Sequence, residues 1–187
     1  MFTVEAQKFD PIDGILLLSG DTIYGSVAYI DEGIPRKFYK KIRVDTKGGR
    51  TKKFKRTQVS SFYKDQLKYE SYWLREASYG FNFFDNKYVI DRKRGELYFL
   101  KVIKEGSLEL YEMEWFEQGE ATLWSMYLIK KKEDSFFIRA DQGIIKIKRN
   151  ALINYLSDCP KAVEAIRDKQ LHSVGEVVDY YNNNCIL

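Results

Sequence analysis

The feature that most limits the fold of this chain is a change of period. From Ile15 to Arg149, apolar residues come in short runs or at every second position, broken by Gly- and Asp-bearing turns. Beyond Asn150 they recur at three- and four-residue spacing. The expected class is α+β, mainly β: a twisted antiparallel sheet or partly open barrel over residues 8–148. A C-terminal bundle of short helices over 149–187 should pack on it. Fourteen Tyr and twelve Phe against three Pro suit pleated, half-buried surfaces. A chain of 187 residues, 44% hydrophobic and 31% charged, is long enough for a substantial core and is not disordered. No apolar run nears the roughly 18 residues of a membrane-spanning helix.

The clearest local signal is "ILLLSGDTIYGSVAYID". Strands Ile15–Leu18 and Thr22–Ile30 flank a tight Ser-Gly-Asp turn in which Gly20 and Asp21 are the structural residues. Gly25, inside the returning strand, marks a bulge or a close approach of another chain segment. Further strands are expected over Lys37–Val44, Lys52–Phe62 and Leu67–Leu74, and two or three more between Lys87 and Phe116. A hairpin should turn at Lys132-Glu133-Asp134, with a final strand at "GIIKIKR". In the tail, Asn150 and Asp158 are candidate caps for two helices, with Pro160 tolerated in the first turn of the second. Ser173 and Glu176 form a capping box for a third, whose buried face is Val174, Val177, Val178 and Tyr181.

Charge is unevenly placed. Of 31 basic and 27 acidic residues, eleven basic residues and only Asp45 lie between Arg36 and Arg56, so the remainder carries net −6. Candidate anion- or partner-binding residues are Lys37, Lys40, Lys41, Arg43, Lys52, Lys53, Lys55 and Arg56. Interleaved with Phe38, Tyr39 and Phe54, they suit single-stranded nucleic acid through phosphate contacts and stacking. Period-two placement equally suits a solvated strand face that attracts anions generically, or an anionic glycan.

Catalytic and metal chemistry are poorly supplied. The single histidine, His172, has no paired nucleophile nearby, and two late cysteines without Cys-x-x-Cys spacing make no zinc set. No phosphate-binding glycine loop follows a strand. The expectation is no enzyme, no cofactor and no metal. Cys159 opens one expected helix and Cys185 follows the end of the next, so an antiparallel pair would bring them together. Two reduced thiols fit a cytoplasmic protein, and a disulfide fits an exported one.

"GILLLSGDTIYGSV" and "LSDCPKAVEAIRDKQLHSVGEVVDYYNNNC" together resemble an uncharacterised family of Bacteroidota envelope proteins. Gly14, Gly20, Asp21, Thr22, Ile23 and Gly25 fill its hairpin pattern. Leu156, Asp158, Cys159, Pro160, Tyr181, Asn182 and Cys185 fill its tail pattern. Some relatives continue into an outer-membrane barrel. The resemblance implies export and paired cysteines, and no known activity. Val4-Glu5-Ala6 before Gln7 fits the stub of a truncated signal sequence, which places the protein in the periplasm or envelope; otherwise it is cytoplasmic. "SGDTIYGSVAYID" also resembles the first motif of Sm-like barrels, without an evident second motif. The leading expectation is a non-enzymatic envelope binding or accessory module for a protein or an anionic surface polymer. The alternatives are polyanion or single-stranded nucleic-acid binding through residues 36–56, and a structural subunit of a larger assembly such as a phage virion.

Overall fold

The computed structural model describes residues 13–30, 41–46, 48–77, 87–116, 123–143 and 147–185. The first strands are β1 (Gly14–Leu17), β2 (Thr22–Tyr24), β3 (Ser26–Ile30), β4 (Lys41–Asp45), β5 (Thr51–Lys55) and β6 (Val59–Lys64). They are followed by β7 (Leu67–Ala77), β8 (Lys87–Ile90), β9 (Glu96–Lys104), β10 (Leu108–Phe116), β11 (Leu123–Lys131) and β12 (Phe136–Arg139). The helices are α1 (Arg149–Tyr155), α2 (Pro160–Arg167) and α3 (Val174–Asn184).

Nine strands join in the order β2-β1-β6-β7-β8-β12-β11-β10-β9, and β9 returns to pair with β7. That return closes a six-stranded antiparallel barrel, β7-β8-β12-β11-β10-β9. The length of β7 makes this possible. One of its edges pairs with β6 along Leu67–Glu70 and then with β8 along Leu74–Ala77. Its other edge pairs with β9 along Tyr69–Leu74. A sheet closed on itself leaves fewer free edges to pair with other chains.

As in other narrow barrels, side chains fill the interior. Tyr72, Tyr111 and Phe137 meet edge to face in its middle, with centroids 4.9–5.7 Å apart. Leu74, Leu100, Met113, Met126 and Leu128 pack in the same cluster.

Two layers cover the barrel's outside. The first is a three-stranded sheet, β3-β4-β5. Its inner residues Val27, Ile42 and Val44 pack with Ile15, Val59, Phe62, Tyr69 and Phe99. The second is the helical tail. Leu152, Leu156, Ala162, Ile166, Val177 and Val178 bury against Leu108, Leu110 and Ile129 of β10 and β11.

The mainly β, α+β class with a helical C-terminal region is therefore what the chain adopts, but several boundaries move. The expected Thr22–Ile30 strand is two strands in two sheets. It breaks at Gly25, whose amide donates to the Asp13 carbonyl at 2.9 Å. A Cβ there would lie 2.4 Å from the Asp45 carbonyl oxygen, and φ is +155°, so only glycine fits. Lys52–Phe62 likewise divides, at a 3-10 turn over Arg56–Gln58. "GIIKIKR" contributes one bridge, Asp141 to Ile147, before Arg149 opens α1; residues 144–146 lie outside the described residues.

The expected caps are also corrected. Lys148 precedes α1 in the cap position, and Asn150 is already helical. Cys159 occupies the cap of α2, while Asp158 is turned to other partners. Ser173 does cap α3, accepting from the Glu176 amide at 3.1 Å. The returning arm of that box reaches one residue further, because Glu176 accepts from the His172 amide at 2.7 Å.

Candidate functional site

The described basic residues sit mostly on the outer sheet. Direct neighbours across antiparallel strands share a face. Lys41 stands opposite Lys55, and Arg43 opposite Lys53, so β4 and β5 present two cation–cation pairs on the face turned away from the core. Ile42 opposite Phe54 and Val44 opposite Lys52 define the other face, where Ile42 and Val44 are fully buried. Lys52 thus has inner-face parity on an edge strand, yet its side chain is exposed.

Arg43 pairs with Asp45 at 3.1 Å. Among the described residues, Lys41, Lys52, Lys53 and Lys55 form no ion pair. Elsewhere about half of the described cations have acidic partners, among them Lys68 with Glu70 and Glu105, Lys101 with Glu112, Lys104 with Asp179, Lys131 with Asp158 and Arg139 with Asp141. Lys37 and Lys40, with Phe38 and Tyr39, lie outside the described residues.

Arg56 leaves this face. The 3-10 turn swings it under the barrel, where Nη1 donates to the Leu97 carbonyl at 3.2 Å and Nη2 lies 3.9 Å from Glu96. Phe54, expected to interleave with the cations for stacking, is half-buried on the inner face against the Ile42 layer.

The N-terminal turn is built as its residues require. Gly20 has φ +93° and donates to the Leu17 carbonyl at 3.0 Å, while Asp21 accepts from the Ser19 hydroxyl at 2.8 Å. His172 is exposed between α2 and α3, and its backbone rather than its ring is used. Cys159 and Cys185 form a disulfide with Cα atoms 5.6 Å apart. Disulfides persist in oxidising compartments. No helix among the described residues is long and apolar enough to cross a membrane. No group of three or more His, Cys, Asp or Glu among them stands together to hold a metal ion.

The sequence reading missed a polar cluster in the barrel. Tyr72 donates to Glu70 at 2.9 Å. The Tyr111 hydroxyl lies 3.1 Å from Glu70, 3.2 Å from Glu109 and 3.2 Å from the Tyr72 hydroxyl. Lys68 pairs with Glu70 at 2.7 Å, and Lys130 with Glu109 at 3.0 Å. Burial pushes the Glu70 carboxyl up, but hydrogen bonds from Lys68, Tyr72 and Tyr111 and the Lys68 charge outweigh it and hold it below its ordinary value. Burial, with the neighbouring hydroxyl and carboxylates, pushes the Tyr111 phenol well up, so it stays a proton donor. Every hydrogen-bonding atom buried in described side chains has a partner. The cluster holds the barrel's interior in one arrangement and offers no free nucleophile. Its signal was present: Glu70-Ser-Tyr72, Glu96-Leu-Tyr98 and Glu109-Leu-Tyr111 repeat Glu-x-Tyr on strands, and each Tyr hydroxyl reaches its own Glu.

Comparison with protein-family models, with curated proteins and with solved structures finds no match.

Proposed function

We propose that this protein is a non-enzymatic accessory module of an oxidising cell envelope that binds an anionic surface polymer through the outer face of β3–β5. One observation carries the reading. Lys41/Lys55 and Arg43/Lys53 oppose like charge across β4 and β5 on one exposed face, where among the described residues only Arg43 has an acidic partner, Asp45. Like charges directly opposite destabilise a sheet by up to about 1 kcal/mol each, so the arrangement costs stability unless an external anion answers it. The disulfide and the two-ended resemblance to envelope proteins support the compartment. Described positions 26, 28, 41, 43, 45, 51, 53 and 55 of that face carry no aromatic ring, which favours a charged glycan over a stacked single strand.

The test is titration of the full chain with fluorescent polyuronate and, separately, with a labelled single-stranded oligonucleotide, at several salt concentrations. Polyuronate binding that weakens steeply with salt and disappears when Lys41, Arg43, Lys53 and Lys55 are changed to Glu supports the reading. Binding indifferent to that reversal removes it, and clear preference for the oligonucleotide replaces it with the nucleic-acid alternative.

A further inference from the structure

A second feature lies where β7 changes partners. On that edge of β7, β6 stops pairing at Glu70 and β8 starts at Leu74, so Ser71–Trp73 face a gap between two strands. Beside the gap is a cleft of about 180 Å³, lined by Arg56, Thr57, Ser71, Trp73 and Arg92 over an apolar floor that includes Val59 and Leu97. This is room for one ring-sized group rather than a drug-sized ligand.

We propose that the cleft binds a single carboxylated sugar ring, a hexuronate. Arg92 is exposed and has no partner among the described residues. Arg56 is held through Nη1 by the Leu97 carbonyl at 3.2 Å, while its Nη2 lies 3.9 Å from Glu96, and with Arg92 it brings two guanidiniums to the cleft for a carboxylate. Guanidinium forks match carboxylates in shape as well as charge. The Thr57 and Ser71 hydroxyls make no hydrogen bond within the described structure, and are free for sugar hydroxyls. Trp73 contributes a flat apolar surface with one N–H, the kind of surface a pyranose ring packs against.

The wall that presents Arg92 is rigid. The turn from β8 to β9 crosses the β7 backbone: the Asp91 amide donates to the Trp73 carbonyl at 2.8 Å, and a Cβ on Gly95 would lie 2.9 Å from the Trp73 carbonyl carbon. The Asp91 carboxylate accepts from the Arg94 and Lys93 amides at 3.1 and 3.0 Å, and from the Arg94 and Arg75 side chains. Those bonds, the Arg94 amide foremost, hold its carboxyl down at about 2, so the turn keeps its shape across the physiological range. A preformed cleft binds with less ordering cost.

The cleft goes beyond the outer-face reading and uses other side chains. Its test is tryptophan fluorescence of the full chain carrying Trp115→Phe and Trp124→Phe, titrated with sodium glucuronate, glucose and inorganic phosphate. Saturable change with glucuronate, little with glucose or phosphate, and binding weakened at least about tenfold by Arg92→Ala are expected. The reversal of Lys41, Arg43, Lys53 and Lys55 should leave glucuronate binding in place, so the two readings fail separately. Equal response to glucose removes the carboxylate, and equal response to phosphate removes the ring. No saturation by roughly 50 mM, or no effect of Arg92→Ala, overturns the proposal outright.

Discussion

The helical tail and the three-stranded sheet both cover the barrel, but they spend their polar groups in opposite ways. In the tail a set of polar side chains ties the helices to the barrel and to each other, while the rest face solvent. Asn182 donates to the Leu108 carbonyl and accepts from its amide, both at 2.8 Å, just beyond the point where β9 stops pairing with β10. Asp158 accepts from Lys131 and Tyr181, each at 2.6 Å, and Arg149 donates to the Ile166 and Leu171 carbonyls. In the outer sheet the cations of β4 and β5 have, among the described residues, one acidic partner, Asp45 beside Arg43. The tail is built to hold. On the proposed reading the sheet meets an anionic partner, and variants in the two regions should then separate stability from binding.

The largest effect belongs to the tail's core. Leu156 is fully buried under α1 and α2. Leu156→Ala should cost about 2–5 kcal/mol, read as a lower denaturant midpoint, with polyuronate affinity unchanged at temperatures where the variant is folded. Affinity lost in step with stability would tie the tail to the binding face. Removing the disulfide comes next. Cys159→Ser with Cys185→Ser frees a 26-residue separation and should cost about 3 kcal/mol, again without touching binding. Equal unfolding midpoints with and without reductant would show that the bond does no such work.

Asn182→Ala should cost about 1–3 kcal/mol, because it strands both backbone groups of Leu108 at a partly buried edge. Local hydrogen exchange at Leu108 reads it directly. Acid provides a gentler probe of the same region. Burial pushes the Asp158 carboxyl up, but hydrogen bonds from Lys131 and Tyr181 and the Lys131 charge outweigh it and lower it from 3.8. A carboxylate lowered in the folded state contributes stability that is complete above its unfolded value. Asp158 therefore supports the tail at neutral pH, and that support fades as pH falls below 3.8 and through the lower folded-state value. Asp158→Asn should flatten this part of the acid limb; an unchanged limb assigns it to other carboxylates.

How far such arguments were available from the residues differs between the same two regions. The tail was largely legible because helical spacing and caps are local: Val174, Val177, Val178 and Tyr181 are buried, and the cysteines meet. Even there Asp158 was misassigned, since its partner Lys131 lies on a strand far away in sequence. The sheet's alternation was visible as well, with Ile42 and Val44 inward and Lys41 and Arg43 outward. Its boundaries were not, because period two continues through Gly25 and past Lys55 while the strand changes sheets. Arg56 reads as one more cation of a run, yet one turn of 3-10 helix moves it to the cleft at β7. Barrel closure depends on β7 serving three partners, a long-range pairing that no local spacing reports.

The smallest effect has the most telling sign. Lys53 faces Arg43 directly across β4 and β5 on the exposed face. Lys53→Glu exchanges a repulsive neighbour for an attractive one without altering any buried contact. Cross-strand pairs of this kind differ by about 0.2–1 kcal/mol, and the exposed setting places the gain at the lower end. The variant should therefore be slightly more stable than the parent at low salt, and the difference should shrink as salt screens the pair. The same change should weaken polyuronate binding, since it removes one cation from the proposed face and adds an anion beside Arg43. Stability rising while affinity falls is the signature of a charge arrangement kept for a partner. If Lys53→Glu instead lowers stability and leaves binding intact, the lysine serves the sheet itself, and the contrast between the holding tail and the meeting sheet fails at the residue chosen to test it.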